Sequence, residues 1–242
     1  RLRVVGTDAG RGMGSTVPKC PRTLLLLGAV IAPVLALPPA GARARAPRKG
    51  ASPAGGASPP KAPQAVDYAQ RFASQCAACH GANGRSDMAG TPVLAGQPSL
   101  YAITQLFLFR EGRRSNQPMT AVAKTLSDDD MRGFADYIGT LPPVSAPAPG
   151  APDAARMAKG KALAEQHKCV FCHGANLDGG QQVPRIAGQK EDYLQESLRG
   201  FKSGSRPGYT QAMTAAVSQV SVEDLDALAY YAARFTGSAA GK

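Results

Sequence analysis

The sequence has no tryptophan and few aromatic residues of any kind, 6% of its 242 residues. A chain of this length makes one or two domains and excludes a large multidomain assembly. No apolar run is long: Leu24–Leu37 gives 14 residues, interrupted by Gly28 and Pro33, where a membrane-spanning helix needs about 20. No stretch alternates convincingly between apolar and polar residues, so strands are not expected. The 27 Gly and 20 Pro are too few for a collagenous or wholly disordered chain. Histidine is scarce, at three residues, and the five cysteines are an odd number.

What is present in excess is positive charge: 28 Lys and Arg against 17 Asp and Glu, a formal net of +11. Such a balance suits nucleic acid, a membrane surface or an acidic protein partner. Much of it is local, because residues 1–46 hold seven basic residues and a single acid, Asp8. Within them Lys19 and Arg22 precede the apolar run, and small-residue sites at Ala40-Gly41-Ala42 and Ala42-Arg43-Ala44 follow it. Basic, apolar, then Ala-x-Ala is the order of a secretory signal peptide. We read residues 1–46 as that signal, with Met13 as a plausible start and 1–12 as an upstream extension. Cys20 precedes the apolar run and leaves with the signal, so four cysteines remain. Residues 47–65, rich in Pro, Gly and Ala, bury too little surface to offset their ordering entropy and read as a flexible tether.

The remainder is one unit written twice. Cys76-Ala77-Ala78-Cys79-His80-Gly81-Ala82-Asn83 recurs as Cys169-Val170-Phe171-Cys172-His173-Gly174-Ala175-Asn176, and Pro92-Val93-Leu94-Ala95-Gly96-Gln97 as Pro184-Arg185-Ile186-Ala187-Gly188-Gln189. Tyr101, Leu106, Phe109 and Gly112 match Tyr193, Leu198, Phe201 and Gly204, and Met119-Thr120-Ala121 matches Met213-Thr214-Ala215. Register held over about 75 residues implies duplication of a domain. The expected organisation is a first domain at 66–141, a linker at 142–152 and a second domain at 153–237.

Each copy is expected to be all-α. Residues 67–75 and 154–168 suit helices, and 99–111 and 191–203 place Leu, Tyr and Phe at three- and four-residue intervals. Ser127 with Asp130, and Ser221 with Asp224, start the final helices: the Ser oxygen accepts a backbone N–H and the acid suits the helix dipole. Copies of this size are marginal without a staple, metal or cofactor at their centre.

Cys-x-x-Cys-His is the attachment signature of c-type haem: two thiols form thioethers with the porphyrin and the adjacent imidazole ligates iron. A single zinc site made of both Cys pairs would leave His80 and His173 unexplained. Redox dithiols lack the expected βαβ context, and disulfides within Cys-x-x-Cys would close only tiny loops. Two covalent haems are therefore expected, on Cys76, Cys79 and His80 and on Cys169, Cys172 and His173. His167 has no counterpart in the first copy and reads as a helix-surface residue. A sixth iron ligand separates carrier from catalyst. Met119 and Met213 occupy equivalent positions about 40 residues past each motif, in what reads as loop, and favour ligation; Met131 aligns with Leu225 and reads as core. Axial Met fills both axial positions and raises the potential.

Cys-x-x-Cys-His, then Pro-x-Leu/Ile-Ala-Gly-Gln, then the late Met, twice in one chain, resembles the dihaem cytochrome c4 family, built from two class I cytochrome c domains. The resemblance implies that the carbonyls of Pro92 and Pro184 accept the ring N–H of each domain's His. It also implies a pseudo-twofold arrangement with the haems close enough to exchange electrons. The expectation is a periplasmic electron carrier, not an enzyme, between a quinol-oxidising complex or dehydrogenase and a terminal oxidase or reductase. The alternative is a haem subunit docked permanently on a flavin- or quinone-dependent dehydrogenase; a dihaem peroxidase would need an open axial position. Nucleic acid is not expected, because Arg110, Arg113 and Arg114 in one copy and Arg156, Lys159, Lys161 and Lys168 in the other are not interleaved with an aromatic platform. They read as a solvated basic face that steers docking to an acidic redox partner, and the same face would tolerate a membrane surface.

Overall fold

The computed structural model describes residues 65–237; the expected signal at 1–46 and nearly all of the tether at 47–65 lie outside them. Among the described residues there are ten helices and no strand, only an isolated bridge between Gly180 and Val183. The first half contains α1 (Tyr68–Gln75), α2 (Ala77–His80), α3 (Ser99–Arg110), α4 (Gln117–Ala123) and α5 (Asp128–Thr140). The second repeats the order with α6 (Ala154–Gln166), α7 (Cys169–His173), α8 (Glu191–Ser203), α9 (Ala212–Val217) and α10 (Val222–Arg234).

Local chemistry explains where the long helices begin. Asp67 and Asp153 accept the Gln70 and Arg156 backbone N–H groups at 3.0 and 2.9 Å, each satisfying a donor that a helix start leaves without an internal partner. Ser127 and Asp130 form a reciprocal capping box at α5, and Ser221 accepts the Asp224 N–H at α10. Packing then closes each half: α3 and α1 pack on α5, and α8 and α6 on α10. The first core is built on Phe72, Met131, Phe134 and Ile138, and the second on Leu163, Leu194, Leu225 and Leu228 with several alanines.

The two halves meet along a seam with exchanged partners. Gln97 donates to the Arg185 carbonyl at 2.8 Å and accepts the Arg185 N–H at 3.1 Å. Gln189 does the same to Val93, at 2.8 and 2.7 Å. Val93 and Arg185 are equivalent residues of the repeat, as are the two glutamines, so the seam is isologous within one chain. The stretch between α5 and α6 is stitched down too: the Ala146 N–H donates to the Gly188 carbonyl at 2.7 Å and the Asp153 N–H to the Tyr230 hydroxyl at 2.7 Å.

Candidate haem sites

Each Cys motif folds as a short helix, which sets two thiols and an imidazole on about one turn. Cys76 and Cys169 are half-buried, Cys79 and Cys172 are exposed, and all four are free thiols rather than disulfides. His80 and His173 are buried, each only 6% exposed. Their Nδ1 atoms lie 3.0 Å from the carbonyl oxygens of Pro92 and Pro184. A carbonyl only accepts, so Nδ1 carries the proton and the Nε2 lone pair is left for a metal. Burial lowers the pKa of both imidazoles, against the opposing effect of the carbonyl bond, and this favours the neutral ligand form.

The thiol chemistry argues against the other uses of Cys-x-x-Cys. Burial pushes Cys76 up to about 11, against a lowering by Arg71, and raises Cys169 as well. A redox dithiol needs the opposite shift. Among the described residues no three of His, Cys, Asp and Glu converge as a metal site, so the two Cys pairs do not form one zinc centre.

The residues also fit the acidic edge of a haem. Arg85, five residues after His80, and Arg185, next to Pro184, each bury an Nε–H that has no acceptor among the described residues. A buried donor without a partner costs about 1–3 kcal/mol, and a haem's carboxylates are suitable acceptors.

Met119 and Met213 are both half-buried at equivalent places, but not in loops: Met119 lies in the first turn of α4 and Met213 in that of α9. Asn116 caps α4, its side chain accepting the Met119 N–H at 3.0 Å. Pro118 occupies the first turn, where a missing N–H does no harm. The start of α9 has no side-chain cap bond from Gln211. His167 is half-buried at the C-cap of α6 rather than on its exposed surface. Met131 is core, at 3% exposure.

Of the expected solvated basic face, Arg113, Arg156, Lys159, Lys161 and Lys168 are exposed, and several of its cations carry ion-pair partners. Arg110 pairs with Asp128 at 2.7 Å, Lys159 with Asp224 at 2.8 Å and Arg156 with Glu191 at 3.3 Å. Arg114 turns to the seam, where it donates to the Tyr193 hydroxyl at 2.9 Å. The seam glutamines were visible in the sequence only as the last residue of a repeated motif. Their action on the residue after each Pro ties the loop that anchors one half's imidazole to the other half.

A duplicated helical unit that offers two thiols and an anchored imidazole from one turn defines a tandem c-type cytochrome. The chain belongs to the cytochrome c family, whose Cytochrome c family model matches residues 66–142 and again 157–233, and within that family to the dihaem cytochrome c4 group. It is 36% identical over 179 residues to a thiosulfate dehydrogenase electron acceptor of Thiomonas intermedia, covering 65% of this chain and 82% of the relative. It is 32% identical to a cytochrome c4 of Thiocapsa roseopersicina, covering 64% of this chain and 84% of that one. The solved structure of reduced cytochrome c4 from Pseudomonas stutzeri superposes with a TM-score of 0.63 at 28% identity, over 69% of this chain and 96% of that one. The protein accordingly binds two covalent haem c groups, and what those groups supply is reversible one-electron storage.

Proposed function

We propose that this protein is a periplasmic electron carrier in which each half holds one haem through two thioethers and a His/Met ligand pair. Cys76 and Cys79 attach the first haem, and His80 and Met119 ligate its iron; Cys169, Cys172, His173 and Met213 do the same in the second half. The carbonyls of Pro92 and Pro184 fix ring orientation and keep the proton on Nδ1. The observation that carries the reading is the imidazole tied at 3.0 Å to a proline carbonyl beside two free thiols, built identically twice. With both axial positions filled there is no place for a substrate at iron, so the role is carriage rather than catalysis.

A quinol-oxidising complex or a dehydrogenase is the donor in this reading, and a terminal oxidase or reductase the acceptor. The likeness to a thiosulfate dehydrogenase electron acceptor favours a dehydrogenase donor. Among the described residues no helix is long and apolar enough to cross a membrane. Size-exclusion chromatography of the native protein from a periplasmic extract separates a carrier from a permanently docked subunit. A free dihaem monomer reduced rapidly by small donors is expected. Constant co-elution with a larger redox subunit would replace the carrier by the docked subunit.

A further inference from the structure

Each seam glutamine closes a hydrogen-bond chain that ends on the other half's imidazole. The Pro92 carbonyl, which faces His80 Nδ1 at 3.0 Å, belongs to the same peptide unit as the Val93 N–H, which donates to Gln189 Oε1 at 2.7 Å. In the second half the Pro184 carbonyl faces His173 Nδ1 at 3.0 Å, and the Arg185 N–H of that peptide unit donates to Gln97 Oε1 at 3.1 Å. Neighbouring groups fix the direction of both chains. The Val93 and Arg185 carbonyls accept from the glutamine Nε2 atoms at 2.8 Å, which leaves Oε1 for the N–H.

A resonant, planar amide passes charge from one end to the other. An acceptor on its N–H raises the electron density of its carbonyl oxygen, and hydrogen bonds in such a chain strengthen one another. The carbonyl then draws harder on the imidazole proton and makes Nε2 the stronger donor. Burial keeps the effect from being screened: Gln97 and Gln189 are 6% and 4% exposed, so little water competes for these bonds. The two chains differ in one respect. Gln189 Oε1 is held a second time by the Lys190 N–H at 3.0 Å, whereas the residue after Gln97 is Pro98, which has no N–H to offer.

We propose, resting on the reading that His80 and His173 ligate iron, that Gln97 and Gln189 are positioning residues for the opposite half's imidazole. Gln189 of the second half sets the donor strength of His80, and Gln97 of the first half sets that of His173. A stronger imidazole donor favours the ferric state, so each glutamine holds the other half's reduction potential down. The shorter, doubly held bond gives Gln189 the larger influence.

The test uses the purified holoprotein with Q97L, Q189L, Q97E and Q189E. Redox titration is followed by NMR so that each haem is read separately, with M119A and M213A to tell the halves apart. Q189L is expected to shift the first haem towards ferrous by about threefold, or ~28 mV for one electron, with the second haem close to its parent value. Q97L should do the reverse, more weakly. In the ferrous protein the Nδ1–H proton of the opposite half's histidine should move upfield in each Leu variant as its bond to the proline carbonyl weakens. Glutamic acid, neutral or ionised, keeps an oxygen on the N–H, so Q97E and Q189E should hold the parent potential or move towards ferric. The proposal is overturned by Leu variants with parent potentials, by shifts confined to the substituted half's own haem, or by Glu variants that move with the Leu variants. Q97L, at the less buried of the two bonds, carries the test if Q189L does not fold. Failure of the ligation reading shows separately, as parent Nδ1–H signals that do not move between the ferrous and ferric forms.

Discussion

In the first half, the ring of Tyr68 on α1 lies over Gly133 of α5; in the second, Gly160 of α6 receives Tyr231 and the backbone of Ala227 on α10. The same two helices close against each other in both halves, but knob and hole have changed sides. A β-carbon on Gly133 would sit 2.0 Å from the Tyr68 ring, and one on Gly160 would sit 2.5 Å from the Ala227 carbonyl oxygen. A second contrast lies in the loop after each haem motif. Gly84 adopts φ +73 and its carbonyl accepts from Leu94 and Ala95, while Leu177 makes the same bonds to Ile186 and Ala187 at φ 55. The second half accepts a strained leucine there, which at 1% exposure fills core space that a glycine cannot. The duplicated fold is therefore defined by close approach and hydrogen-bond geometry, and the residues that achieve these can be exchanged between partners.

Substitutions that act unequally on the two halves test this contrast. The largest effect is expected from C76A/C79A or C169A/C172A: intact mass should fall by one haem and the Soret band by about half, with the affected half losing its cooperative melt because so small a core is marginal without its cofactor. The second half, with its larger buried cluster, should keep more helix in circular dichroism than the first. Next, Gly160→Ala should cost about 3 kcal/mol in denaturant unfolding, since backbone must move, whereas Gly133→Ala should cost about 1 kcal/mol, because the Tyr68 ring can swing aside. Gln189→Ala should cost about 2 kcal/mol by leaving the Val93 N–H and carbonyl unpaired in a buried position, with Gln97→Ala costing less at its partly exposed partner.

The smallest effect concerns acid. Asp130 in the first half is bound to Arg71, and that hydrogen bond, against burial, holds its carboxyl down at about 2; Asp224, bound to Lys159, is lowered in the same way. A depressed carboxylate adds stability above its unfolded pKa and loses it as pH falls through the folded value. The Arg71–Asp130 tie should therefore weaken between about pH 4 and pH 2, and Asp130→Asn should flatten the acid limb of stability at a cost of about 1 kcal/mol or less.

Much of this architecture is legible in the sequence because it is written in local code. The caps at Ser127 and Ser221 mark where α5 and α10 begin, and the spacing of Leu, Tyr and Phe marks α3 and α8. The haem motifs carry their own chemistry, since thiols and imidazole must be neighbours to reach one macrocycle. The two methionine helices are not legible: α4 and α9 are short, and Pro118 looks like a breaker until it is seen in a first turn. Arg114 is misleading for a different reason. A charged residue after an amphipathic helix reads as solvated, and its partner Tyr193 lies 79 residues away in the other half. Contacts across the seam have no periodicity in sequence, only the equivalence of the repeat, and that equivalence pairs Arg114 with Arg206 without saying that they meet on the Tyr193 hydroxyl.

The proposed His/Met ligation of both irons is tested most directly by the weak far-red absorption of the ferric protein, recorded for the parent, M119A and M213A. The account predicts a low-spin parent with the methionine band present, and a loss of about half its amplitude in each variant, with cyanide or carbon monoxide binding gained only in the altered half. A parent without the band, or variants that leave it unchanged, would contradict it.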